Sequence, residues 1–262
     1  GSIRMIYSGT TKPESGTATV MTGTGTYIDA PTYQFNSSDD SSEYVGYMYT
    51  LGEQHGNSTD STIKTTIDNW YKATTLETDS KTKSLVADQI FCNDRSAGST
   101  QTAAWSSTTT YYYGARDRLC PNKTPILTCP TASDKFTVDT SNGNRALTYP
   151  VGLITADEVA MAGGSCNARN SSYYLYTNQL YWLGSPFESF FNGVGSAYEF
   201  TVPSSASGKL DYSRVSSEYG IRPVVSLSSK AKLSGSGTYN DVYTVVGGNS
   251  TEDTSSGKSF DT

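Results

Sequence analysis

The side chains that could do chemistry in this sequence are few and scattered. His55 is its only histidine, set in Gly52-Glu53-Gln54-His55-Gly56, a stretch that reads as a loop. Activating a serine or cysteine nucleophile requires a base held in turn by a third group. Spacing places no such partners around His55, so neither a Ser-His-Asp nor a Cys-His arrangement is expected. Asp157-Glu158 is a pair of adjacent carboxylates, the residue type that divides acid and base roles in glycoside hydrolysis. The same acids close the run Thr155-Ala156-Asp157-Glu158, which spells a helix cap. There Thr155 accepts from the third backbone N–H and Glu158 reaches back to the first, so no chemistry is needed to explain them. Asp39-Asp40 and Asn93-Asp94 offer the oxygen ligands calcium takes, without a spacing that assembles a site. The expectation is a protein with no metal, no cofactor and no catalytic residues.

Cys92, Cys120, Cys129 and Cys166 form no C-x-x-C pair, and a structural zinc site needs four ligands at tight spacings. An even count in an acidic chain rich in Ser, Thr and Tyr reads as two disulfides and an oxidising compartment. Four cysteines allow three pairings. Cys92 and Cys129 flank the long middle insertion, and Cys120 stands beside a Pro-rich stretch that must fold back toward the second helix. The expected bonds are therefore Cys92–Cys129 and Cys120–Cys166.

Positioning these groups falls to a chain of 262 residues, 35% hydrophobic, 17% charged and 12% aromatic, with net charge -6. The aromatic share and the small net charge argue for a folded core built heavily on Tyr, Trp and Phe. There is no basic field to attract nucleic acid and no run of about 20 apolar residues to span a membrane. The opening Gly1-Ser2 reads as a cloning scar or the interior of a longer protein.

Two helices stand out. In Ser58–Leu76, Ile63, Ile67, Trp70 and Tyr71 fall on one face, with Ser58 or Thr59 as cap. Thr155–Ala162 is the second, stopped by Gly163-Gly164. Between Arg116 and Pro130, three prolines argue against regular structure. Strands are expected at Ile3–Tyr7, Tyr111–Tyr113, Leu180–Leu183, Ala197–Val202, Lys209–Tyr212, Ile221–Leu227 and Val242–Val246. Residues 247–262 read as a polar linker. The sum is an α+β chain with one domain over 1–246 and a tail over 247–262.

Three ordered motifs sharpen this reading: Tyr149-Pro150-Val151-Gly152-Leu153-Ile154-Thr155-Ala156-Asp157-Glu158-Val159, then Tyr181-Trp182-Leu183-Gly184-Ser185-Pro186, then Gly220-Ile221-Arg222-Pro223-Val224-Val225-Ser226-Leu227. Together with the opening SIRMIYSG, the IDNWY helix and the FCNDR segment they resemble a family of bacterial surface and pilin-associated domains of unknown function. The family pattern is similar to the C-type-lectin-like fold and its formylglycine-generating-enzyme branch. The resemblance implies two helices, a twisted antiparallel sheet, long loop insertions and adjacent N- and C-terminal strands. The chain lacks the WRI-type strand such domains carry before their IRMIY-like segment, which implies trimming or processing. It also lacks the Glu-Pro-Asn, Gln-Pro-Asp and Trp-Asn-Asp sugar-binding signatures of calcium-dependent lectins. No cysteine follows Cys166, so formylglycine-generating chemistry is not implied.

The expected role is non-catalytic display or adhesion, extracellular, at a bacterial cell surface or pilus. Its ligand would be a host or bacterial glycan or protein. The candidate face is Asn170–Phe191, through Tyr173, Tyr174, Tyr176, Tyr181, Phe187, Phe190 and Phe191. Tyr, Ser, Gly and Asn are the residues of adaptable binding surfaces. Trp70, Thr155, Glu158, Trp182 and Arg222 are expected to be structural, the arginine bound to carbonyls or a carboxylate because a lone buried charge is costly. Two alternatives are a subunit that self-associates into an extracellular filament and a phage receptor-binding module.

Overall fold

The computed structural model describes residues 3–10, 24–28, 32–139, 141–202, 208–238 and 240–246. The linker expected over 247–262 lies outside the described residues. The architecture is α+β, with a few helices and several small antiparallel sheets rather than one continuous sheet.

The main helix is Thr62–Ala73. Ile63, Ile67 and Tyr71 recur every four residues and are buried, while Trp70 meets the ring of Tyr7 edge-on at 5.7 Å. Its cap is Ser61, not Ser58 or Thr59, and the Ser61 hydroxyl accepts from Lys64 N. Thr59–Asp60 is instead a short strand paired with Met48–Tyr49, which postpones the helix. The second expected helix is Ala156–Met161, and its capping box is complete. Short helices also occur at Thr75–Thr78, Ser80–Lys83 and Gly114–Leu119. The last corrects the expectation of no regular structure from Arg116 onward. The prolines begin only at Pro121, leaving the preceding residues free to coil.

The largest sheet has four strands, in the order Asp211–Arg214, Gly195–Val202, Tyr181–Phe191, Tyr111–Tyr112. Residues 181–187 are buried in succession, so both faces of this strand meet protein, as its near-continuous apolar run requires. Trp182 donates from Nε1 to Tyr33 O at 2.7 Å and packs against Phe35 and Tyr219. A three-stranded sheet sets Val224–Leu227 between Arg4–Ile6 and Val86–Ala87, bringing the first described strand against one from the last part of the chain. Gly152 exchanges backbone hydrogen bonds with Val224 and lies against Phe91: a Cβ there would fall 2.6 Å from Phe91 Cγ, an approach that glycine permits. One buried apolar cluster runs from Tyr27 to Val225.

Candidate functional site

Two disulfides form, Cys92–Cys129 and Cys120–Cys166, with Cα separations of 5.6 and 5.0 Å. They hold the Pro-rich loop 121–128 at both ends. Ile126 N donates to Asp157 Oδ1 at 3.0 Å and Thr124 N to Arg118 O at 2.9 Å, fixing the loop along its length. Leu127 is left 70% exposed.

Beneath this loop lies a cleft of about 670 Å³ whose lining includes Arg4, Asp94, Arg118, Lys135, Asp157 and Glu158. Most of these charges are committed. Arg118 bridges Asp94 at 2.7 Å and Asp157 at 2.9 Å. Burial pulls its guanidinium down, but the two carboxylates outweigh that and hold it above its ordinary value. Arg4 pairs with Glu158 at 2.9 Å, while Glu158 also accepts from Thr155 N. Asp157 and Glu158 thus turn to different partners, one to the loop and one to the cap. Lys135 is the cleft's cation without an ion pair among the described residues.

His55, which the sequence left without a partner, places Nδ1 3.0 Å from Asp134 Oδ2. Asp134 is fully buried and also receives Arg95, from Nη2 at 2.7 Å and from its backbone N at 2.8 Å. Arg95 donates onward to Met48 O, Gly56 O and Asn57 Oδ1. Arg95 therefore pins the loop that carries His55. Nothing local in the sequence marked Arg95 for burial, since arginine is ordinarily exposed unless paired and its partner Asp134 is distant in the chain. Among the described residues no group of three or more His, Cys, Asp or Glu side chains could hold a metal ion.

The aromatic segment divides. Tyr173, Tyr181 and Phe187 are buried, which corrects their expected place on a ligand-binding face. Tyr181 donates to Leu175 O at 2.9 Å, and burial raises its hydroxyl to about 12, with Arg222 pulling the other way. Phe187 is sandwiched, stacked on Tyr212 at 3.9 Å and edge-on to Phe200 at 5.0 Å. Seven successive buried residues from Tyr181 carry no charge, and that run was the available sign of burial. Tyr176 is half-buried, its hydroxyl on Asn178 Oδ1. Tyr174 is exposed next to Leu175, whose carbonyl accepts from the Tyr181 hydroxyl at the start of the long strand. Phe190 and Phe191 are exposed at its other end, ten steps along the strand from Tyr181 to Phe191, or roughly 33 Å at the usual rise. No single face unites these seven rings.

Phe190, Phe191 and Val194 form the apolar tip of a hairpin, at 43%, 38% and 70% exposure. Gly193 makes the turn with φ +100°, a conformation that favours glycine. The base of the tip is clamped. Phe191 N donates to Thr110 Oγ1 at 3.0 Å, and Ser189 Oγ donates to Thr109 O at 3.1 Å. Gly195 lies so close to Asp40 that a Cβ would fall 2.0 Å from its carbonyl oxygen. Arg116 packs its guanidinium over Tyr112 at 3.9 Å and pairs with Glu188.

Arg222 is buried under the N-terminal strand, donating to Tyr7 O and Leu175 O at 3.0 Å and to Ser8 Oγ at 2.6 Å. Its partners are carbonyls and a hydroxyl, with the Tyr181 ring at 4.9 Å. Trp182 is buried and Trp70 half-buried. No protein-family model matches this chain, and neither does any curated protein or solved structure.

Proposed function

We propose that this protein is a non-catalytic extracellular display or adhesion module, and that it attaches through the hairpin tip Phe190–Val194. The observation that carries the reading is an apolar tip presented to water on a base that hydrogen bonds hold still. Exposed large apolar side chains grouped on a rigid element mark interaction sites, and holding them in place lowers the ordering cost of binding. The charged cleft argues against chemistry there, because its acids and arginines neutralise one another. Two disulfides suit an oxidising compartment outside the cell. The antiparallel pairing of Arg4–Ile6 with Val224–Leu227 supports the C-type-lectin-like resemblance and, through it, a bacterial surface or pilus setting.

The test pairs thermal unfolding with attachment to cells and to glycan and protein arrays. Phe190→Ala and Phe191→Ala are expected to leave the melting temperature nearly unchanged and weaken attachment, by at least 30-fold if they are hot spots worth about 2 kcal/mol. Unaltered attachment by folded variants would remove the tip as the binding site.

A further inference from the structure

Two other exposed apolar features of this chain match one another. The first is the ribbon of Lys232–Ser234 with Thr244–Val246, in which Leu233 faces Val245. Val242, Tyr243, Val245 and Val246 are 36 to 51% exposed. Neighbouring residues of a strand point to opposite faces, so both faces of this strand are apolar. A two-stranded ribbon is marginal alone in water. Soluble edge strands ordinarily defend themselves with charge or proline, and Val242-Tyr243-Thr244-Val245-Val246 has neither. Among the described residues no third strand pairs with it.

The second feature is the outer edge of Arg4–Ile6. Tyr7 N donates to Pro223 O and Leu227 N to Ile3 O, which fixes the phase of the ladder. Residues 3, 5 and 7 face Val224–Leu227, so the backbone groups of Arg4 and Ile6 point outward. No described strand meets that edge. The side chains of Arg4 and Ile6 also line a groove of about 310 Å³ with Leu127, Met161 and Tyr174, all three exposed. Glu158 neutralises Arg4, so the groove carries no net charge against an uncharged strand.

We propose that the strand Thr244–Val246 of one copy adds to the open edge of Arg4–Ile6 in a second copy and seats its apolar side chains in that groove. Donor and acceptor are each three residues long. Backbone hydrogen bonds supply affinity in such an addition, and the groove supplies selectivity. Donor and acceptor are different surfaces, so the contact is head-to-tail and grows into a filament unless its rotation closes a ring. This goes beyond attachment by the hairpin tip and uses none of the tip's residues.

The test uses the whole chain, with light scattering after size exclusion and electron microscopy. Wild type is expected to polymerise with rising concentration. Leu127→Asp removes the acceptor and Val245→Lys the donor. Both positions are exposed, and Tyr174→Asp is a second acceptor variant. Each variant alone is expected to be a folded monomer. Mixed in equal amounts, an acceptor-dead and a donor-dead variant retain one good contact and are expected to give a species of twice the monomer mass. A wild type that stays monomeric at every attainable concentration overturns the proposal. So does a variant that still polymerises alone, as ribbon-to-ribbon pairing would allow, or a mixture that remains monomeric. Cell attachment by monomeric Leu127→Asp reads the hairpin tip separately.

Discussion

Arg95 Nη2 lies 2.7 Å from Asp134 Oδ1, with both side chains out of reach of water. Asp134 also holds His55, whose ring is part-exposed. The two partners differ in what their loss leaves behind. Removing the carboxylate strands a buried guanidinium, whereas removing the imidazole leaves Asp134 still paired.

Asp134→Ala is therefore expected to lower unfolding free energy by about 3–5 kcal/mol. His55→Ala should lower it by less than about 1 kcal/mol, as for a pair at the surface. Urea unfolding of both variants checks this. Equal losses would mean that the imidazole, not Arg95, is the partner that matters.

The disulfides close loops with sequence separations of 37 and 46 residues. Loop entropy depends weakly on length, so the two bonds should stabilise almost equally, by about 2–4 kcal/mol each. Paired Cys→Ser replacement of either bond measures that. Removing both frees the ends of loop 121–128, where Lys123 is exposed. Limited trypsin digestion should then cleave after Lys123 much faster than in the wild type. An unchanged cleavage rate would show that the Ile126–Asp157 and Thr124–Arg118 bonds hold the loop by themselves.

Arg222 satisfies two backbone carbonyls and a hydroxyl from one buried side chain. Arg222→Met leaves Tyr7 O and Ser8 Oγ without this donor at about 1–3 kcal/mol each, while Leu175 O keeps the Tyr181 hydroxyl, so a loss of at least about 2 kcal/mol is expected. Arg222→Lys should rescue little, because an ammonium cannot reproduce the planar fork. Calorimetry decides: a melting temperature unmoved by Arg222→Met would end the structural assignment.

What the sequence made legible was local. The four-residue recurrence of Ile63, Ile67 and Tyr71, and the capping box at Thr155 and Glu158, each lie within a few turns of helix. The cysteine pairing was reachable because only three options existed. Asp134 lies 39 residues from Arg95, and nothing in local periodicity connects them. The same limit hid the division of the aromatic segment. Tyr173 looks like Tyr174 in sequence, and for Phe187 the uncharged run before it was the one sign, with the packing of Tyr212 and Phe200 around its ring separating it from Phe190. Strand ends were displaced for a related reason. Strands as short as Val86–Ala87 are defined by their partners and carry little pattern of their own.

Glu199 gives a pH signature that can be isolated from the rest of the chain. It is fully buried in strand Gly195–Val202, and among the described residues neither carboxylate oxygen has a hydrogen-bond partner. Burial pushes its carboxyl well above the ordinary value of 4.5, and the more distant Arg95 only partly opposes this. Below the unfolded pKa the acid is protonated in both states and folding is unaffected. Above it the unfolded chain releases the proton while the folded chain retains it, so the folded state binds more protons. Stability therefore falls as pH rises from about 4.5 toward the folded pKa, and levels off beyond it. Glu199→Gln has no proton to release and should lack this decline. Subtracting its urea unfolding profile from that of wild type, between about pH 4 and pH 8, cancels the other carboxylates, including Asp117, whose hydrogen bonds lower its pKa. The difference should grow with pH in favour of the glutamine variant. A difference that is flat across this range would mean that Glu199 ionises in the fold as readily as it does in water, and that a counter-charge reaches it.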